Sequence, residues 1–122
     1  MSKCKARKSG LNKEILNKFS QIMLKGSIED NIGKVFTKQN LEDNQALESF
    51  EKNNFAEELR KYIKVSDLRL LSKRNDGKRT LQNILDMFRH CVKKMGYTFT
   101  WYYKQVKGER FVEYTIFKQV QN

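Results

Sequence analysis

Residues 78–96 of the chain are KRTLQNILDMFRHCVKKMG, and residues 97–118 are YTFTWYYKQVKGERFVEYTIFK. In the first stretch, seven apolar residues recur at offsets of 0, 3, 4, 7, 10, 11 and 14 from Leu81. At 100° per residue they lie within about a third of the helical wheel, which predicts an amphipathic helix over residues 78–95. Gly96 predicts the end of this helix, because glycine readily adopts the left-handed conformation.

The second stretch predicts a β-hairpin, since both of its halves alternate with a period of two and are rich in aromatic and β-branched residues. A two-residue loop at Lys107 and Gly108 would give one consistently apolar face. Its pairs would be Phe99 with Ile116, Trp101 with Tyr114 and Tyr103 with Val112. A shift of one residue would destroy this face. Because an isolated hairpin is marginal in water, we expect this face to pack on the 78–95 helix.

Weaker helical patterns precede this segment. They predict helices over residues 11–25, 28–38 (with Ser27 as N-cap) and 54–64, a short helix between loops within 37–53, and a short helix over 66–74 that ends at Asn75-Asp76-Gly77. The sequence therefore predicts an α+β fold, mostly helical with a C-terminal β-hairpin.

Composition limits the class of protein. The chain has 122 residues, of which 39% are hydrophobic, enough for the core of one domain. No apolar run approaches the length that crosses a bilayer, and the basic start leads into no signal-type stretch, so we expect neither a secreted nor a membrane-spanning protein. Cys4 and Cys91 are interpreted as free thiols, which indicates a reducing intracellular compartment, the nucleus in a eukaryote.

Positive charge is unevenly distributed along the chain, whose net charge is +11. Residues 1–26 carry seven basic and one acidic side chain, residues 27–58 carry three and eight, and residues 59–122 carry fifteen and five. Concentrated positive charge attracts phosphate groups and is typical of nucleic-acid-binding proteins. A lysine-rich surface that serves solubility is the alternative interpretation.

The order of helix 54–64, short helix 66–74, turn, long helix and hairpin resembles a winged helix-turn-helix DNA-binding domain. The resemblance is architectural and covers the last 65 residues or so. It implies that the helix after the turn enters the major groove and that the hairpin tip contacts the backbone or the minor groove. It divides the chain into a basic tail (1–10), an N-terminal helical segment (11–53) and a winged-helix-like domain (54–122).

The candidate binding residues lie on the turn, the outward face of the long helix and the hairpin tip. Arginine, asparagine and glutamine suit base edges, while lysine and arginine reach phosphates. The candidates are Lys73, Arg74, Lys78, Arg79, Gln82, Asn83, Lys93, Lys104, Lys107 and Arg110. A polar helix face and a charged tip also occur on proteins that bind no nucleic acid. The N-terminal cations Lys3, Lys5, Arg7 and Lys8 suit a phosphate-contacting arm, a nuclear-import patch or a disordered end.

The aromatic residues of the hairpin have two interpretations. Exposed rings among lysines could stack on single-stranded bases. The alternation places Phe99 and Trp101 on the packed face, so core packing is favoured for them. Tyr102 and Phe117 remain candidates for contact with a partner.

Enzymatic activity is not expected. The one histidine, His90, is predicted on an exposed helix face with no orienting carboxylate, and Cys91 lies on the buried stripe. The acidic residues of 42–58 lack metal-ligand spacing, and the glycines are isolated. The sequence thus predicts no metal, no cofactor and no small-molecule substrate.

These observations predict a non-catalytic nucleic-acid-binding protein, with duplex DNA favoured over RNA. We expect it to act as an accessory subunit that positions a larger complex on its substrate. The implied partners are a nucleic acid and a protein subunit. The alternative is an adaptor or inhibitor whose basic surface meets an acidic protein.

Overall fold

Five α-helices and a three-stranded antiparallel sheet make up the part of the chain that the computed structural model describes, residues 10–119. Two 3-10 turns, Glu29–Asn31 and Asp67–Leu71, complete it. In chain order, the elements are α1 (Lys13–Leu24), β1 (Val35–Phe36), α2 (Lys38–Asp43), α3 (Ala46–Lys52), α4 (Phe55–Arg60), α5 (Leu81–Lys94), β2 (Tyr97–Val106) and β3 (Glu109–Lys118). The predicted α+β class is confirmed, and the layout is consistent with a winged-helix-like arrangement.

The C-terminal hairpin has the predicted register. Phe99 pairs with Ile116, Trp101 with Tyr114 and Tyr103 with Val112. Lys107 and Gly108 form the two-residue loop, with φ angles of 53° and 82°. Positive φ at both loop positions suits the right-handed twist of the flanking strands, and glycine meets it without strain. The predicted helices 11–25 and 54–64 are also present, in shorter form, as α1 and α4.

The helix predicted over residues 28–38 is wrong. The Ser27 hydroxyl accepts a hydrogen bond from the Asp30 N–H (3.1 Å), but the N-cap of the 3-10 turn that follows is Ile28, and the turn ends at Asn31. Gly33 follows with a φ of 80°, and the chain then extends into β1, which pairs with β3 in the sheet order β1-β3-β2. Phe36, part of the apolar pattern that suggests a helix, packs as a strand residue instead: its ring stacks on that of Tyr114 at 5.4 Å.

Three other boundaries differ from the predictions. Region 37–53 contains two helices instead of one, since Gln45 takes a φ of 58° between α2 and α3. The helix predicted over 66–74 is the short 3-10 turn Asp67–Leu71. The long helix begins at Leu81 instead of residue 78, because Thr80 caps it together with Asn83: each side chain accepts a hydrogen bond from the other's backbone N–H.

One hydrophobic core joins the helices to the sheet. Phe19 of α1 is fully buried at its centre, with its ring 5.1 Å from Phe55 and Phe88 and 5.8 Å from Phe50. Residues on both sides of the predicted division at residue 54 therefore share this core. The predicted tail 1–10 lies outside the described residues except for Gly10. No helix among the described residues is long and apolar enough to cross a membrane.

The core covers only half of the hairpin. Phe99 and Ile116 are buried, and Phe99 contacts Phe88 of α5, whereas Trp101 and Tyr103 are 47% and 57% exposed, so the expectation that Trp101 is packed is wrong. The physical reason is length. The 14 residues of α5 span about 21 Å, whereas the 10 residues of β2 span about 33 Å, so the strand is longer than the helix that supports it.

We expect Phe19→Ala to lower the free energy of unfolding by about 3–5 kcal/mol, because it removes the ring that three other aromatic rings surround. Phe117→Ala is the control. Its ring is about half exposed, so the loss should stay near or below about 1 kcal/mol. Urea unfolding followed by circular dichroism measures both, and similar losses would contradict this arrangement of the core.

Candidate nucleic-acid interface

Residues 73–78, which we call the basic turn, precede α5 and are held by hydrogen bonds within the turn. The N–H of Arg74 donates to the carbonyl of Lys78 at 2.8 Å, and Gly77 donates to Arg74 at the same distance. The Asp76 carboxylate accepts from the Lys78 N–H and pairs with Arg74, and these contacts hold the pKa of Asp76 below its usual value. Lys73 and Lys78 are exposed and line a depression between this turn and α3.

Arg79 is a structural residue of the turn. Its side chain is only 10% exposed, which contradicts the expectation of an outward position. Its Nη1 donates to both carboxylate oxygens of Glu51 at 3.0 Å, and its Nε donates to the carbonyl of Leu71 at 2.8 Å. The guanidinium group also lies over the ring of Phe50. Arg79 therefore ties the turn to α3, and its charge is already neutralised.

The outer stripe of α5 consists of Gln82, Asp86, Arg89 and Lys93, which follow one another at spacings of four, three and four residues. Gln82 donates to Asp86 at 2.8 Å. Arg89 was not among the candidates, although its position seven residues after Gln82 is the signal that could have identified it. Asn83 is a predicted candidate, but its side-chain oxygen accepts from the Thr80 N–H at 2.9 Å as part of the helix cap.

The opposite flank of α5 is covered by the 3-10 turn at residues 67–71. His90 Nε2 lies 3.5 Å from a carboxylate oxygen of Asp67, and Lys94 lies 3.4 Å from the same oxygen. The expectations of an exposed histidine and of no nearby carboxylate are therefore wrong. Burial acts to raise the pKa of Asp67, but Lys94 and His90 together hold it below its usual value.

Cys91 offers no reactive thiolate near neutral pH, because burial raises the pKa of its thiol to about 12. Among residues 10–119, no group of three or more His, Cys, Asp or Glu side chains is placed to hold a metal ion.

An open groove separates the outer stripe of α5 from the exposed half of the hairpin. It has a volume of about 280 Å³. The polar and aromatic residues that line it include Lys38, Gln82, Asp86, Arg89, Trp101 and Tyr103. The rings of Trp101 and Tyr103 meet edge to face at 5.5 Å. We call this feature the aromatic groove.

The hairpin tip extends the aromatic groove with positive charge. Arg110 lies over the ring of Tyr103, with its guanidinium carbon 4.6 Å from the ring centre. Lys107 is exposed in the loop itself. Lys104 points to the other face of the hairpin, where its ammonium lies 3.6 Å from Glu113.

The basic turn and the hairpin tip lie toward the same end of α5. Phe99, near the start of β2, contacts Phe88 with ring centres 6.4 Å apart. Farther along β2, Tyr103 shares the aromatic groove with Gln82 in the first turn of α5. The strand thus runs back along the helix, and its tip extends toward the end at which Lys73 and Lys78 lie.

Comparison of the chain with models of protein families, with curated proteins and with solved structures finds no significant match.

Replacement of Arg79 should destabilise the fold, whereas replacement of its neighbour Lys78 should not. We expect Arg79→Ala to lower the free energy of unfolding by about 1–2 kcal/mol, since it removes the bonds to Glu51 and to the Leu71 carbonyl. Lys78→Ala, at an exposed position, should change it by less than about 0.5 kcal/mol. Arg79→Lys should restore only part of the loss, because lysine cannot form the forked contact. Equal effects of the two alanine variants in urea unfolding would contradict this assignment.

Proposed function

We propose that this protein is a non-catalytic nucleic-acid-binding protein. One observation carries the proposal: the aromatic groove, with cations on its rim, lies beside a basic hairpin tip and toward the same end of α5 as a basic turn. This combination suits a ligand with phosphate groups at regular spacing and planar bases between them.

The balance of charge supports this proposal. The chain carries 25 basic and 14 acidic side chains. Several of its carboxylates are engaged by cations within the fold, as Glu51 is by Arg79 and Asp76 by Arg74. Lys73, Lys78 and Lys107 are exposed, and none of them forms an ion pair with another described residue. Phosphate contacts by such lysines release counterions, which favours binding at low salt.

The residue types of the outer stripe of α5 support contact with duplex DNA. Gln82 and Arg89 belong to the types that form paired hydrogen bonds with base edges, and Lys93 to those that reach phosphates. In the winged-helix resemblance, α5 takes the place of the helix that enters the major groove, and Lys107 lies at the tip of the wing. With no catalytic group assigned, we propose that the protein is an accessory subunit that positions a larger complex on DNA.

A protein partner is a second candidate, favoured by the other face of the hairpin. Tyr102, Val106, Phe111 and Phe117 are all exposed there. Exposed apolar patches of this kind are typical of protein interfaces. A pull-down with and without nuclease separates the two candidates, because a partner retained after nuclease treatment is bound through protein contacts.

The proposed function predicts a salt-dependent affinity for duplex DNA, measured by fluorescence anisotropy. A plot of log affinity against log salt should fall by about 0.9 for each phosphate that the protein neutralises. Lys107→Glu should weaken binding and make this slope shallower by about 0.9. Lys34→Glu is the matched control. It makes the same charge change at an exposed lysine next to the end of the sheet that is remote from the hairpin tip.

Two outcomes would contradict the proposal. One is no binding at low salt. The other is equal loss of affinity in Lys107→Glu and Lys34→Glu, because net charge alone would then explain binding.

A further inference from the structure

We infer that the aromatic groove binds unpaired bases, so that the preferred ligand is a duplex that continues into a single strand. The inference rests on the proposed function and names the class of nucleic acid that this part of the surface takes.

Trp101 and Tyr103 line the groove, and Arg110 continues this row of planar groups beyond it toward the hairpin tip. Arg110 lies over Tyr103 at 4.6 Å, and Tyr103 meets Trp101 at 5.5 Å. All three side chains are on the same face of the hairpin, because Arg110 is paired with Gln105, two positions after Tyr103. Aromatic rings and guanidinium planes are the groups on which single-stranded bases stack.

Only an unpaired base offers its flat faces to this row. In a duplex, each base is covered above and below by its neighbours and shows only its edges in the grooves. A base in a single strand can turn out of its stack and lie on an aromatic side chain. The row of Arg110, Tyr103 and Trp101 therefore favours single-stranded over double-stranded nucleic acid at this position.

The groove is lined by groups that suit bases and by groups that suit phosphates. Asp86 lines the groove and would repel a phosphate, but a carboxylate accepts hydrogen bonds from the amino groups of bases. Gln82 adds an amide beside it. The cations Lys38 and Arg89 also line the groove, where they suit the flanking phosphates. The groove thus places base-binding and phosphate-binding groups side by side.

The two faces of the hairpin differ in charge although both expose aromatic rings. Tyr102 is 48% exposed, but its hydroxyl donates to the carboxylate of Glu113, which also pairs with Lys104. Tyr103 is instead covered by a cation, Arg110. The helix-facing side therefore combines an aromatic ring with a cation, which suits a ligand that has both phosphates and bases. Tyr102, an exposed tyrosine that contacts a carboxylate instead, is the matched control for Tyr103.

The test compares a blunt DNA duplex with the same duplex extended by a thymidine overhang, using anisotropy at fixed salt. We expect the wild-type protein to bind the extended duplex about tenfold more tightly or better, in line with the contribution of stacked bases. Tyr103→Ala should abolish most of this preference, measured as the ratio of the variant's affinities for the two DNAs. Tyr102→Ala should retain the preference, and Tyr103→Phe should also retain it, because the ring is kept.

The outcomes separate this inference from the proposed function. Equal affinity of the wild-type protein for both DNAs would overturn the inference and leave nucleic-acid binding intact. The same loss of preference in Tyr102→Ala and Tyr103→Ala, with unchanged circular dichroism, would also overturn it. No binding to either DNA at low salt would overturn both.

Discussion

The structure depends on the packing of the apolar stripe of α5 against the end of the C-terminal hairpin that is remote from its loop. Phe88 and Phe99 meet there in the core, and Ile116 is buried with them. This contact fixes the direction of the hairpin along the helix. Since the strands are longer than α5, it also leaves their far half uncovered. The exposure of the aromatic groove and of the hairpin tip follows from this difference in length.

Acidic side chains of the segment 27–58 pair with basic side chains from other parts of the fold. Glu51 holds the turn through Arg79. The Tyr97 hydroxyl donates to Glu29 at 2.6 Å and Lys13 pairs with the same carboxylate, so these contacts hold the pKa of Glu29 below its usual range. Both glutamates belong to the acidic segment 27–58, whose charge is thus partly matched by basic residues near it in space. Acidic and basic residues that lie in separate segments of the sequence thus form ion pairs in the fold.

The sequence predicts the elements whose pattern is local and strong. The stripe of α5 and the register of the hairpin follow from periodicity, because a shift would expose apolar side chains. The strand β1 could not be predicted, since two residues carry no period and Phe36 is held by Tyr114 from the far end of the chain. The burial of Arg79 and the exposure of Trp101 could not be predicted, because both depend on residues far away in the sequence. Glu51 lies 28 positions before Arg79, and the exposure of Trp101 follows from the relative lengths of a helix and a strand.

Trp101 is the single tryptophan of the chain, so its fluorescence reports on the aromatic groove alone. The most direct measurement is quenching of this fluorescence by acrylamide, first in the free protein and then with saturating thymidine oligonucleotide. An uncovered hairpin that binds bases predicts strong quenching in the free protein and marked protection in the complex. A tryptophan shielded in the free protein, or equally accessible in both states, would contradict the account.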